Sequence, residues 1–547
     1  PLLDTARTDP ATAQAIDRSV RNVLRAKFRL GLFEQPFVDA AKADPANDTK
    51  ESRALARRAG REAMVLLHNE RNTLPLSPSV KSIAVIGPCA DSVLLGDYSG
   101  YGMDVVTLHQ GIKNAVPSTT KVTYSKGCEF GFSAIPPIES LALRPPDNSG
   151  GLHGLRGEYY DNTTFSGTPG FVRTDSMVHF TWAMGSPDKA IANDHFSVRW
   201  TGKLVPPVTG KYRIGTSTDD GVRLWIDGRL VIEKWFDRGA TLDFITMRLE
   251  AGREYTIRMD YYENSGWAYA SLVWQHLDDN NPLRESAVAA ARNSDVAVIA
   301  VGITEGEGYD RSHLDLPGDQ EQLIKDVAAT GTPTVVVLYN GSAVTMANWI
   351  GDVGAVLEAW YPGEEGGNAI ADVLFGSYSP GGKLPITFPQ YVGQVPLYYN
   401  HMPTGRGNDY CDLSGMPLFP FGHGLSYTTF AYNNLRIPPE KISPGGEVRV
   451  RIDIQNTGTR KGDEVVQLYQ HIPVASVTRP VLELKSFKRI ALAPGEKTTV
   501  TFDLGFSELS FLDKQMKLVV EPGTREIKIG SSSQDIRAQA TFVVQAK

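Results

Sequence analysis

The hydrophobic period changes twice along this chain, and that switch restricts its folds more than any other feature. Short, mainly apolar runs occur at 82–88 (SIAVIGP), 295–302 (DVAVIAVG), 334–341 (TVVVLYNG) and 355–363 (AVLEAWYPG). Such runs, rich in β-branched residues, mark strands buried on both faces of a parallel sheet. Helical spacing falls between them, in 107–116 (TLHQGIKNAV) before the strand KVTYSKG, and from Asp319 to Ala329. Between about Leu155 and Gln275 the period drops to two, as in KYRIG from Lys211, and an Asp227-Gly228 pair reads as a hairpin turn. The α/β alternation resumes afterwards, so this all-β module is an insertion within an α/β domain. From about Leu435 onward, alternating segments separated by Pro-Gly turns describe a terminal β-sandwich.

Upstream of the first apolar run, Ile16, Val20, Val23, Leu24 and Phe28 recur at helical spacing from Thr12 to Leu30, and Gly31 stops the helix. The segment after it, EQPFVDAAKADPANDTKES, is polar and linker-like, so the helix reads as the tail of a domain whose body lies upstream. A second helix is expected from about Ser52 to Asn69. A chain of 547 residues exceeds one core and suggests about three or four domains.

Charge and cysteine usage exclude several functions. A formal net charge of -7 with no basic run removes the footprint that nucleic-acid binding needs. No stretch of about 18 apolar residues is present to span a membrane. The start, PLLDTARTDP, has neither Met nor a signal h-region, so localisation is not readable from it. Cys89, Cys128 and Cys411 show no metal-ligand spacing, and buried thiols are expected. No metal or other cofactor is implied.

Loops after the C-terminal ends of parallel strands are where α/β sheets build sites. The strand ending at Gly302 runs into ITEGEGYDR, an acidic, glycine-rich loop in which Gly306 and Gly308 flank Glu307. Those glycines let the loop project a carboxylate, and Asp310 with Arg311 is expected to form a local ion pair that fixes it. The plainer alternative is a solvated, charged turn. Glu305, two residues earlier, is the rival carboxylate. In the PGEEGG stretch, Glu364 and Glu365 are expected as helix N-terminal charges.

Six segments resemble glycoside hydrolase family three β-glucosidases: IDRSVRNVLRAKFRLGLFEQPFVD, ARRAGREAMVLLHNERNTLPL, AVIGPCADSVLLGDYSG, EGEGYDRSHLDLPGDQEQLI, AWYPGEEGGNAIADVLFGSYSPGGKLPITFP and PLFPFGHGLSYTTF. They run in the family's order and cover nearly all of the chain outside the insertion. Cys89, His68 and Cys411 depart from the usual pattern, and His68 leaves the expected helix end in doubt.

The resemblance implies a multidomain α/β plus all-β protein. Residues 1–50 would be the last helix of a (β/α)8 barrel and a linker. Residues 51–150 and 277–400 would form a six-stranded α/β sandwich interrupted by a β-sandwich insertion at 151–276. A connecting segment, 401–430, would lead to a fibronectin type III-like domain at 431–547. In the family the acid/base is the Glu of a Glu-Gly-Tyr loop, which Glu307 matches, and the nucleophile is a barrel Asp, which no residue here matches. The expected function is hydrolysis of terminal non-reducing β-D-glucosyl residues by a retaining double displacement, with xylosides the second choice of sugar. The expected partners are a β-glucoside or oligosaccharide substrate and the barrel segment, as a separate chain or a missing part. Homo-oligomerisation stays open. The chain by itself is expected to be almost inactive. Secretion or periplasmic export is expected from the substrate alone.

The insertion is similar to the protective-antigen-type module of some family members. Relatives of the module use paired acids, here Asp219 and Asp220, to bind calcium and sugar. The plainer reading puts those acids in solvent at a hairpin turn. Trp235, Phe236 and Trp267 are candidates for stacking on a sugar or aglycone, against the alternative of ordinary core aromatics. The reading from a different class is a non-catalytic carbohydrate-binding or scaffold protein.

Overall fold

The computed structural model describes residues 2–37, 39–42, 48–77, 79–99, 104–130, 135–147, 151–277, 282–307, 310–404 and 409–546. The chain divides into two units, Pro1–Arg58 and Ala59–Lys547. In the first, the helix Pro10–Arg29 is capped by Asp9, whose carboxylate accepts from the N–H groups of Ala11 and Thr12. Val20, Val23, Leu24 and Phe28, the stripe read from the sequence, stand exposed on this unit.

The second unit is built on a six-stranded sheet. Its strands are β1 (Val65–Asn69), β2 (Ser82–Ile86), β3 (Lys121–Ser125), β4 (Val296–Gly302), β5 (Thr334–Tyr339) and β6 (Ala355–Glu358). The spatial order is β1-β6-β5-β4-β2-β3, with β1 antiparallel to β6 and the other neighbours parallel. Alternate residues of β4 explain its unbroken apolar run. Ala297, Ile299 and Val301 pack on the helices Pro282–Arg292 and Gln320–Ala328, while Val296, Val298 and Ala300 pack beneath Leu108–Ala115 and Gly366–Leu374. Both faces are buried, so neither tolerates a polar alternation.

One expected element changes type. The helix foreseen over 52–69 covers Lys50–Ala63 and ends there, and the next residues form β1. Met64, Val65, Leu66 and Leu67 are at most 1% exposed, and pairing with β6 satisfies their backbone where a helix would turn part of this run outward. His68 therefore lies in an edge strand, not at a helix end.

Between β3 and the helix Pro282–Arg292, a seven-stranded and a four-stranded sheet pack face to face. Leu155, Trp200, Leu224 and Met259 of one interleave with Tyr212, Ile214, Ala270 and Leu272 of the other. The Asp227-Gly228 pair turns the hairpin between Gly221–Ile226 and Arg229–Lys234, with φ of +48° and +74°, values that favour Asp and Gly. From Phe430 to Val544, a three-stranded and a five-stranded sheet enclose Val450, Ile452, Val466, Leu468 and Phe502. Cys89 and Cys128 are buried, whereas Cys411 is exposed, contrary to expectation, in the irregular segment before the last sandwich. No described helix is long and apolar enough to cross a membrane.

Candidate active site

Parallel strands bring their C-terminal ends to one edge of the sheet, and four of them supply this site. The loop after β4 carries Glu305 and Glu307, the loop after β2 carries Asp97 and Tyr98, Asn340-Gly341-Ser342 follow β5, and β6 ends at Glu358. Gln320 braces the end of β4: its amide accepts from the Gly302 N–H at 2.8 Å and donates to the Gly302 carbonyl at 2.9 Å.

The two acids of the loop are held in opposite ways. Glu305 is tied down by the Gly341 N–H, the Ser342 hydroxyl and, at 3.3 Å, the Arg311 guanidinium. Arg311 also donates to Ser342 Oγ at 2.7 Å. The Asp310–Arg311 pair foreseen from the sequence does not form: Arg311 turns inward to Glu305, and Asp310 is exposed. A part-buried carboxylate with three donors outcompetes a neighbour in water.

Glu307 is exposed, and its carboxylate has one partner among the described residues, the Tyr98 hydroxyl, 2.5 Å from Oε2. Its N–H donates to Asp97 Oδ2 at 3.0 Å. Gly306 permits this approach, because a Cβ there would lie 2.4 Å from the Asp97 Cβ. The other glycine of the motif, Gly308, and Tyr309 lie outside the described residues.

Beneath the loop, Glu358 is fully buried, with Oε1 accepting from the Trp360 N–H and Oε2 from Asn340 Nδ2, each at 2.9 Å. Burial pushes its carboxyl up to about 8, so it is largely neutral at pH 7. Asn340 Nδ2 also donates to the Ser342 carbonyl at 2.7 Å, which links Glu358 to the turn that grips Glu305. The Tyr361 hydroxyl donates to the Ile303 carbonyl at 2.7 Å, tying the strand after β6 to the start of the loop. Sequence reading missed Asp97, Tyr98, Asn340, Ser342 and Glu358. An acid ending an apolar strand was the one available signal, at Glu358.

Glu364 and Glu365 precede the helix Gly366–Leu374, and Glu365 takes the N-cap position without a side-chain capping bond. A cleft at the other edge of the sheet, beside Lys81, Asp295 and Thr334, lies away from these loops.

In the insertion, the acids are not in solvent as the hairpin reading had it. Asp220 is 5% exposed and accepts from the backbone N–H groups of Arg238 and Asn264 at 2.8 and 2.9 Å. Asp219 is half-buried, and burial, then the neighbouring Asp220, raises its carboxyl above the usual range. Glu263 is fully buried, accepts from the Tyr261 hydroxyl at 3.0 Å and leaves Oε1 unpartnered. Burial raises it to about 8. Asp219, Asp220 and Glu263 are the one group among the described residues whose carboxylate oxygens lie close enough, within 4.8 Å of one another, to share a cation. Phe236 and Trp267 are 55% and 53% exposed, so neither is a core aromatic. Trp235 is half-buried between Tyr262 and Phe165, with the Arg223 guanidinium over its ring.

Comparison with known proteins places the whole. Residues 64–427 match the glycosyl hydrolase family 3 C-terminal domain, and residues 464–533 match a fibronectin type III-like domain. The chain belongs to glycosyl hydrolase family 3. It is 31% identical over 98% of its length to a periplasmic β-glucosidase of Salmonella typhimurium. It is 31% identical over 97% of its length to a β-xylosidase of Formosa agariphila. It spans 56% of the length of each of these relatives. The crystal structure of a β-glucosidase from Kluyveromyces marxianus in complex with glucose is similar over 92% of this chain and 63% of that one, with a TM-score of 0.62 and 29% identity.

Proposed function

We propose that this chain supplies the acid/base half of a retaining β-glycosidase that releases terminal non-reducing β-D-glucosyl residues. Glu307 is the acid/base. One observation supports this most: of the two acids in the loop after β4, Glu305 is held by three donors, while Glu307 stands exposed with no partner to Oε1 among the described residues. A group that exchanges protons with a substrate must be reachable, and a saturated anchor is not.

In the first step the Glu307 carboxyl proton passes to the glycosidic oxygen. The C1–O bond breaks as a nucleophilic carboxylate bonds to C1. In the second step Glu307 takes a proton from water, the water oxygen bonds to C1, and the nucleophile leaves. No residue of this sequence matches the nucleophile, which in this reading comes from a (β/α)8 barrel. The insertion is read as a protective-antigen-type module whose Phe236, Trp267 and Trp235, with Asp219 and Asp220, bind the sugar or aglycone.

The test is Glu307→Ala in the protein as its source makes it, assayed with an aryl β-glucoside with and without azide. An acid/base predicts a loss of about 10²–10⁴-fold on glycosides with poor leaving groups, and recovery by azide as a β-glucosyl azide. Full activity without Glu307 overturns the reading. Glycan binding with no turnover by the wild type would favour a non-catalytic carbohydrate-binding protein.

A further inference from the structure

The loop after β2 reaches across 209 residues of sequence to touch the candidate acid, and packing alone does not explain that contact. Tyr98 has φ +54°, a backbone conformation unfavourable for an aromatic residue, and the residue is 83% exposed. Its hydroxyl nevertheless donates to Glu307 Oε2. That bond, first, and then some burial and the neighbouring Asp97, hold the phenol above its ordinary range, so it stays a donor. Asp97 uses both carboxylate oxygens, Oδ1 for the Tyr98 N–H and Oδ2 for the Glu307 N–H, each at 3.0 Å. One exposed acid thus orients two backbones and sets ring and carboxylate side by side.

We propose that Asp97 and Tyr98 form a second arm of the site. Tyr98 is a positioning residue that fixes the Glu307 carboxylate through Oε2, so that Oε1 is the oxygen turned to the substrate. The proposal rests on Glu307 as the acid/base. The donor occupies one carboxyl oxygen and stops the side chain from swinging, so proton traffic is confined to the other.

Two experiments test it. In the protein as its source makes it, Tyr98→Phe is expected to lower kcat/KM about tenfold on cellobiose and to change kcat/KM on dinitrophenyl β-glucoside, whose departure needs no proton, by less than about twofold. Equal slowing of kcat/KM on both leaving groups, or none on either, overturns the positioning role. Failure of azide to rescue Glu307→Ala would instead sink the underlying reading. On this chain alone, Asp97→Ala should speed hydrogen exchange of the Glu307 amide about tenfold with the rest of the amide spectrum unchanged. Unaltered protection there overturns the arm.

Discussion

Two acidic clusters sit on this chain and follow opposite rules. In the loop after β4, one acid is anchored so that its neighbour stays exposed. In the insertion, Asp220 and Glu263 are buried and Asp219 half-buried, enclosed by their own domain's backbone and tyrosines. Carboxylates adjacent in sequence therefore say little about function until their partners are known. Where donors saturate one acid and leave the next in water, the arrangement suits proton transfer. Where the acids are buried with an oxygen unpartnered, it suits holding something positive or holding a loop.

Several measurements would break or sharpen that contrast. The largest effect is expected beneath the loop. The folded-state value of Glu358 lies near 8, above the 4.5 of an unperturbed Glu, so its stabilising neutral form is fully present below about pH 4.5 and lost as pH rises through 8. Glu358→Gln should remove up to about 4 kcal/mol of stability loss across that window, read as urea midpoints from pH 5 to 8. An equal slope in wild type and variant would show that Glu358 is not held neutral.

Next comes Asp220→Ala. It should destabilise the insertion by roughly 1–2 kcal/mol in thermal unfolding, because two part-buried N–H groups lose their acceptor. The Glu307 amide signal should not move. Smaller again is Glu305→Gln, expected to cost about 1 kcal/mol and to loosen the loop, seen as faster exchange at the Gly341 amide. The smallest is Trp267→Ala: a melting temperature within about a degree of wild type, since the ring is half in water, but weaker retention on an immobilised oligosaccharide if the insertion binds sugar.

The sequence made the α/β sheet legible because buried parallel strands leave continuous apolar runs, and the run ending at Gly302 located the loop with Glu307. It hid β1, because a short apolar segment following a helix carries no period of its own. It misplaced Arg311, since adjacency suggested Asp310 while the real partner, Glu305, becomes reachable only once β5 brings Ser342 alongside. Asp97 and Tyr98 were invisible for the same reason: their contact with Glu307 is made by sheet order, not by spacing. The acids of the insertion were found, but their burial was not: the pair was read as a hairpin turn, whereas the strands Gly210–Asp219 and Gly221–Ile226 on either side of it lie in different sheets and do not pair.

The most direct test sets the two loop acids against each other. Glu307→Gln and Glu305→Gln, made in the protein as its source makes it, should be compared for kcat/KM on cellobiose and for melting temperature. The account predicts that the first loses about a hundredfold or more in rate with unchanged melting, while the second loses stability and keeps most of its turnover. The reverse pattern, with activity resting on Glu305 and Glu307 dispensable, would contradict it.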